Sequence, residues 1–217
     1  MPRKIFFGGL TRAHDILVEG VFKYLGFDIE SLPEPDNESL RIGKMYCNKG
    51  QCNPVYYTAG NVIRHLLALR ARGERDIEDR YMFITAGSCG PCRFGMYETE
   101  YRKAVSDAGF SHFTVVALQQ DHALLNKLKE MGFDLPRSAF LRILKSFILA
   151  DIVNDLYYQI KPYETREGSA DRWKQDALEA LYETLACGKP VPGSLRKLAG
   201  ALHDIEVDLL IPKPKVK

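Results

Sequence analysis

The sequence is short of several things, and each shortage removes a class of protein. No apolar run is long enough for a bilayer: the most apolar stretch, residues 140–153, is interrupted by Arg142, Lys145 and Asp151 and falls short of the ~20 residues a spanning helix needs. Charge of one sign is not in surplus either. Thirty basic and 28 acidic side chains leave a formal net charge of +2, too little to draw the chain onto nucleic acid or an anionic membrane. The opening MPRKIFFGGL has no long apolar core and no small-residue cleavage site, so it reads as a first strand and not as an address. Phosphate-binding signatures are missing too. Gly8-Gly9-Leu10-Thr11 could cradle a phosphate at a helix start, but it is neither a GxGxxG fingerprint nor a Walker loop with its lysine, so this chain is not expected to be an ATPase by itself. No repeat or low-complexity segment is present. The expectation is a folded, cytoplasmic protein with no nucleic-acid or membrane partner.

What is there begins with size. A chain of 217 residues is one large domain or two small ones, long enough to bury a core without covalent staples. A short apolar run at 4–7 stops at a glycine pair, and Ala13, Ile16, Leu17, Val21 and Leu25 then recur at helical spacing. Residues 27–32 alternate like a strand and meet Pro33 and Pro35. After a polar stretch at 36–41 comes GKMYCNKGQCNP, whose glycine, asparagine and proline content predicts a loop. Pro54 suits the first turn of a helix continuing to Gly73. A strand is expected at 81–85, then the loop AGSCGPCRFG, a helix over 96–108 and a strand over 113–118. Strands alternating with helices predict an α/β fold, a Rossmann-like parallel sheet with helices on both faces. From Pro136 the pattern turns helical, with helices at about 138–159, 170–186 and 195–203, a break at Pro162 and a strand signal only at 207–211. The expected organisation is an α/β cysteine-cluster domain over 1–135 and a helical C-terminal lobe over 136–217.

Five cysteines are present, and four fall in two close pairs: Cys47 with Cys52, and Cys89 with Cys92. In a chain without an export signal such pairs more often bind metal or do redox chemistry than form disulfides. Cys89-Gly-Pro-Cys92 lies between a strand and a helix, where backbone N–H groups and the helix dipole favour negative sulfur, and Cys52 also lies near a helix start. Both loops fall at carboxyl ends of strands, so one rim can hold both. Three readings stand level on spacing alone: an iron–sulfur cluster, structural zinc, and a CGPC dithiol redox site. Simple packing is the weaker fourth, because small buried hydrophobes have no reason to pair inside Gly-Pro loops. Against thioredoxin-like chemistry, no tryptophan precedes CGPC, and the single Trp173 is distant. Against zinc, a full helix and strand separate the loops. Arg93 could fork to a cluster sulfide or an anionic substrate, though surface ion pairing is the commoner role. Cys187, His14 and His65 read as packing or surface residues.

The runs IFFGGLTRAHDILVEGVFKYLGF, GKMYCNKGQCNPVYYTAGNVIRHL, RYMFITAGSCGPCRFGMYETEYRKAVSDAGF and ADIVNDLYYQIKPYE resemble a segment of the CoA-substrate-specific enzyme activases, relatives of 2-hydroxyacyl-CoA dehydratase components and double-cubane cluster proteins. The resemblance covers nearly the whole chain, and GSCGPCRFGMYE is its most specific run. It implies an iron–sulfur component, with a 4Fe–4S or double-cubane cluster, that takes low-potential electrons from an ATP-hydrolysing activase in anaerobic metabolism. Dehydratase-type relatives use three cysteines per subunit, and the matching positions are Cys52, Cys89 and Cys92. Cys47 ranks below them as a fourth ligand, a spare thiol or packing. Three thiolates leave a cluster under-ligated, which a homodimer, a water or a substrate atom could complete. No acyl-CoA pocket motif is visible, so catalysis by this chain as a dehydratase-like or reductase component stays open. In the larger relatives α/β sequence follows this segment, so VDLLIPKPKVK is expected to lead toward a further domain or subunit. A regulatory or structural module of an activase complex, with zinc or a dithiol at the cysteines, is the alternative.

Overall fold

The computed structural model describes residues 3–87, 92–118, 136–208 and 210. Four strands, β1 (Lys4–Phe7), β2 (Ile29–Ser31), β3 (Tyr81–Ala86) and β4 (Thr114–Leu118), form one sheet in the order β2-β1-β3-β4. All three pairings are parallel, with Phe6 beside Glu30 and Phe83, and Phe83 beside Val115. Helices surround the sheet, so the chain is an α/β protein. Successive side chains of a strand point to opposite faces. Phe6, Phe83 and Val115 share one face and pack into a core with residues of α3 (Asn53–Ala71) and α5 (Tyr97–Asp107), whereas Ile5, Phe7, Met82 and Ile84 are buried on the other. β3 reads as a continuous apolar run for this reason: both its faces are covered.

The residues group into two compact units. One comprises Met1–Asp15 and Asp28–Pro136, the other Ile16–Phe27 and Arg137–Lys217. Helix α1 (Arg12–Tyr24) therefore contributes residues to both. The second unit also holds α6 (Arg137–Ile160), α7 (Ser169–Ala186) and α8 (Val191–His203). The break at Pro162 is a 3₁₀ turn, Lys161–Tyr163. Glu164 then accepts from the backbone N–H groups of Gly168 (2.9 Å) and Ala170 (2.8 Å), supplying donors at the α7 start with the partner that its cap residue, Gly168, cannot give. Trp173 donates its indole N–H to the Leu198 carbonyl at 3.0 Å, joining α7 to α8. On α6, Phe140, Leu144, Ile148 and Ile152 form an exposed row at four-residue spacing. Among the described residues no helix is long and apolar enough to cross a membrane.

Three local differences from the sequence reading have physical causes. Residues 43–46, expected in a loop, belong to α2 (Asn37–Tyr46). Asp36 caps this helix through the Ser39 N–H at 2.9 Å and pairs with Arg64 at 2.6 Å, contacts that lower its carboxyl to about 2. α8 begins four residues before the expected 195, because a proline in a helix's first turn loses only a donor that lacks a partner there anyway. Val207 makes only an isolated antiparallel bridge to Glu164, and Leu209 and Ile211 of that strand signal lie outside the described residues.

α2 and α3 cross with their backbones in contact. A Cβ at Gly60 would overlap the Ser39 carbonyl, and one at Gly43 the Tyr56 carbonyl. Gly60→Ala is therefore expected to destabilise the fold by about 1–3 kcal/mol or more, as overpacking does. Gly193→Ala in α8, with open space around the new methyl, is expected to be neutral or to stabilise by about 0.5–1 kcal/mol. Urea unfolding of both variants measures the contrast, and equal midpoints would refute it.

Candidate functional site

The α2–α3 crossing places the first cysteine loop, because residues 47–52 are the connection between the two helices. Cys47 is the C-cap of α2 and Cys52 the N-cap of α3. Between them Gly50 takes φ +81°, a left-handed conformation that costs a glycine little. Tyr56, one turn into α3, donates its O–H to the Asn48 carbonyl at 2.9 Å and accepts the Gln51 N–H at 3.0 Å. The loop is thus closed on its own following helix.

Its other anchor is Glu100 of α5, 6% exposed. One carboxylate oxygen accepts the Asn48 backbone N–H at 2.5 Å. The second accepts the side-chain amides of Asn48 (3.0 Å) and Gln51 (3.2 Å). Lys103 of the same helix donates to the Tyr46 carbonyl at 3.0 Å. These bonds fasten the first loop to α5, which the 3₁₀ turn Arg93–Met96 joins to Cys92. Arg93, the residue after Cys92, completes the link by donating to the Gly50 carbonyl at 3.1 Å. Its guanidinium is a strut between loops, a role the sequence reading had not assigned.

Cys92 is the exposed N-cap of a 3₁₀ turn, Arg93–Met96, that runs into α5. Tyr97, 8% exposed, lies one turn on, with its hydroxyl 3.0 Å from the Cys52 sulfur. Burial first, then the Cys52 contact, with a smaller contribution from Cys92, raises the Tyr97 hydroxyl above its ordinary pKa. A protonated phenol beside the Cys52 thiol can donate to its sulfur and stabilise the thiolate form. Cys89 lies outside the described residues, and among those described no group of three or more His, Cys, Asp and Glu side chains is placed to hold a metal ion.

Cys47 sits elsewhere chemically. It is 6% exposed and packed in the core of the first unit. Burial, reinforced by the Glu100 carboxylate, pushes its thiol up to about 12, and a helix C-terminus adds partial negative charge. A metal ligand must be a thiolate, and this position resists ionisation. Cys187 is exposed at the C-cap of α7, in the other unit. His14 lies 2.7 Å from the Thr11 hydroxyl, and His65 sits edge-on to Phe6 with its pKa lowered by burial.

No protein-family model, curated protein or solved structure matches this chain.

The same rim carries a crevice of about 90 Å³ where the strand order reverses between β1 and β3, the usual ligand position in open parallel sheets. Gly8, Gly9, Arg12, Leu32, Thr58 and Asn61 line it, and Arg12 is held by the Ser31 hydroxyl (3.2 Å) and the Leu32 carbonyl (3.1 Å). Thr58 and Asn61 come from the first three turns of α3, so the crevice lies beside the helix end that carries Cys52. The sequence reading missed Tyr97 and Glu100. Their signal was present: Tyr97, Tyr101, Ala104 and Val105 form the buried face of α5, and Glu100 is a carboxylate on that same face.

Alkylation of the folded chain at pH 8, followed by mass spectrometry, should modify Cys92 and Cys187 first and Cys47 only after unfolding. Modification of Cys47 at the Cys92 rate would overturn the assignment. Cys47 also carries a pH signature. Its thiol ionises near 9.0 when unperturbed and near 12 in the fold, so between these values the unfolded chain binds fewer protons and stability falls as pH rises. Below pH 9 no such loss is expected, and Cys47→Ala should flatten this part of the profile. Glu100→Ala strands three donors and is expected to cost about 1–3 kcal/mol, read by urea unfolding. An unchanged midpoint would remove Glu100 as the loop anchor.

Proposed function

We propose that this chain is an iron–sulfur component of the type associated with 2-hydroxyacyl-CoA dehydratases and their activases, built on a Rossmann-like sheet, with Cys52, Cys89 and Cys92 as cluster ligands. The observation that carries the reading is that Arg93, the residue after Cys92, donates to the Gly50 carbonyl of the first cysteine loop, while the Tyr97 hydroxyl lies 3.0 Å from the Cys52 sulfur. Cys47 is left out of the ligand set and assigned to packing. The residues fit the group: two of the three thiols stand at N-caps, and a phenol hydroxyl lies within hydrogen-bond distance of the Cys52 sulfur. When bound, a cluster of this kind supplies one-electron transfer at low potential, and hydrogen bonds to its sulfurs tune that potential. In this reading Tyr97 holds its proton toward Cys52, Glu100 and Tyr56 keep the first loop in shape, and Arg93 ties it to the second. The electron donor is an ATP-hydrolysing activase, and the acceptor belongs to a dehydratase or reductase subunit, domain or second copy.

Metal analysis of anaerobically purified, reconstituted protein tests this. Iron and acid-labile sulfide in near-equal multiples of the chain are expected, with a paramagnetic signal on reduction that Cys89→Ala, Cys92→Ala and Cys52→Ala each abolish and Cys47→Ala retains. Zinc alone, or metal-free protein with a reversible Cys89–Cys92 disulfide, would replace the proposal with a structural zinc or dithiol site.

A further inference from the structure

The second unit carries a groove of about 400 Å³, within the range of roughly 300–1,000 Å³ typical of small-ligand sites. Its apolar side is formed by Val21, Leu185 and Val191, each buried. Its polar side is cationic: Arg142, Lys145 and Lys189 line it, and among the described residues no carboxylate does. Among the described residues none of these three cations is paired with an acidic side chain. Three like charges gathered over apolar surface repel one another, and an anion placed among them relieves that repulsion.

The wall that organises the groove is Tyr24. The Arg142 guanidinium lies 4.2 Å from its ring centroid and donates to its hydroxyl at 3.3 Å, which orients the guanidinium fork. Tyr24 in turn rests on the turn at Gly188, which has φ +66° and where a Cβ would overlap the ring. The same turn sets Lys189, whose backbone N–H donates to the Thr184 carbonyl at 2.9 Å. Two cations are thus placed by one aromatic ring and the glycine beneath it, and Lys145 follows one turn after Arg142 on α6.

We propose that this groove binds an organic pyrophosphate, its phosphates against Arg142, Lys145 and Lys189 and its organic body over Val21, Leu185 and Val191. A guanidinium fork flanked by two ammonium groups suits a multiply charged phosphate group. A single carboxylate would leave cations uncompensated. The site lies in the unit that carries none of the proposed cluster ligands, so it stands or falls independently of the iron–sulfur reading.

Titration calorimetry of the full chain at low ionic strength tests it, with ADP, inorganic pyrophosphate and octanoate as probes. ADP is expected to bind saturably at one site per chain, pyrophosphate more weakly, and octanoate not at all. Lys145→Ala combined with Lys189→Ala, both exposed positions, should weaken ADP binding about tenfold or more while the melting curve is retained, and added salt should weaken binding in the parent chain. Absence of saturable ADP binding overturns the proposal, as does ADP binding untouched by the double substitution. Equal affinity for ADP and pyrophosphate refutes the role of the organic body, and octanoate binding in place of pyrophosphate makes the groove a carboxylate site.

Discussion

The contact on which the cysteine-bearing unit depends is the crossing of α2 and α3 through Gly43 and Gly60, where neither chain has room for a methyl group. Side-chain packing normally separates helix axes by about 8–10 Å. Removing both Cβ atoms lets the backbones meet, and the connection between the helices is then short and sharply turned. That connection is the first cysteine loop. Its curvature follows from the crossing, with Gly50 taking the one left-handed residue the turn requires. Asp36 at the start of α2 reinforces the arrangement, because it both caps that helix and pairs with Arg64 on α3.

A second constraint is electrostatic. A carboxylate as buried as Glu100 is tolerated only when its lone pairs are used, and here three donors of the first loop use them. The charge that organises the loop also acts on Cys47, which it helps to keep protonated. Burial first, and this charge second, therefore set Cys47 apart from Cys52. Cys52 is left at a helix N-terminus beside a phenol hydroxyl, and Cys47 is held as a neutral apolar group in the core.

Much of this architecture was legible in the sequence. β3 announced itself as a continuous apolar run because both its faces are covered, and α3 and α7 carried clear helical periodicity. α2 escaped notice because its buried face consists of Ser39, Ile42 and Gly43, a face made for close approach and poor in hydrophobic signal. The cysteine pairs drew the reading to these loops, since such residues rarely cluster in glycine-rich loops for packing alone. What spacing could not reveal was the inequality within the first pair, which depends on the burial of Cys47 and on Glu100, 53 residues further along the chain and adjacent only after folding. The bond from Arg93 was hidden for the same reason: it goes to a backbone carbonyl in a different loop.

The hydrogen bonds around residues 47–52 come from a carboxylate, a tyrosine, a lysine and an arginine of α3 and the α5 region. Small metal-dependent domains differ, because there the ion itself supplies the folding energy and chelators unfold the chain. Here four side chains of the polypeptide, Glu100, Tyr56, Lys103 and Arg93, hold the curve of the first loop. Under the proposed reading, a cluster engaging Cys52 would meet a loop that these side chains already hold, so loading would follow folding in time and stripping the metal would return a folded chain.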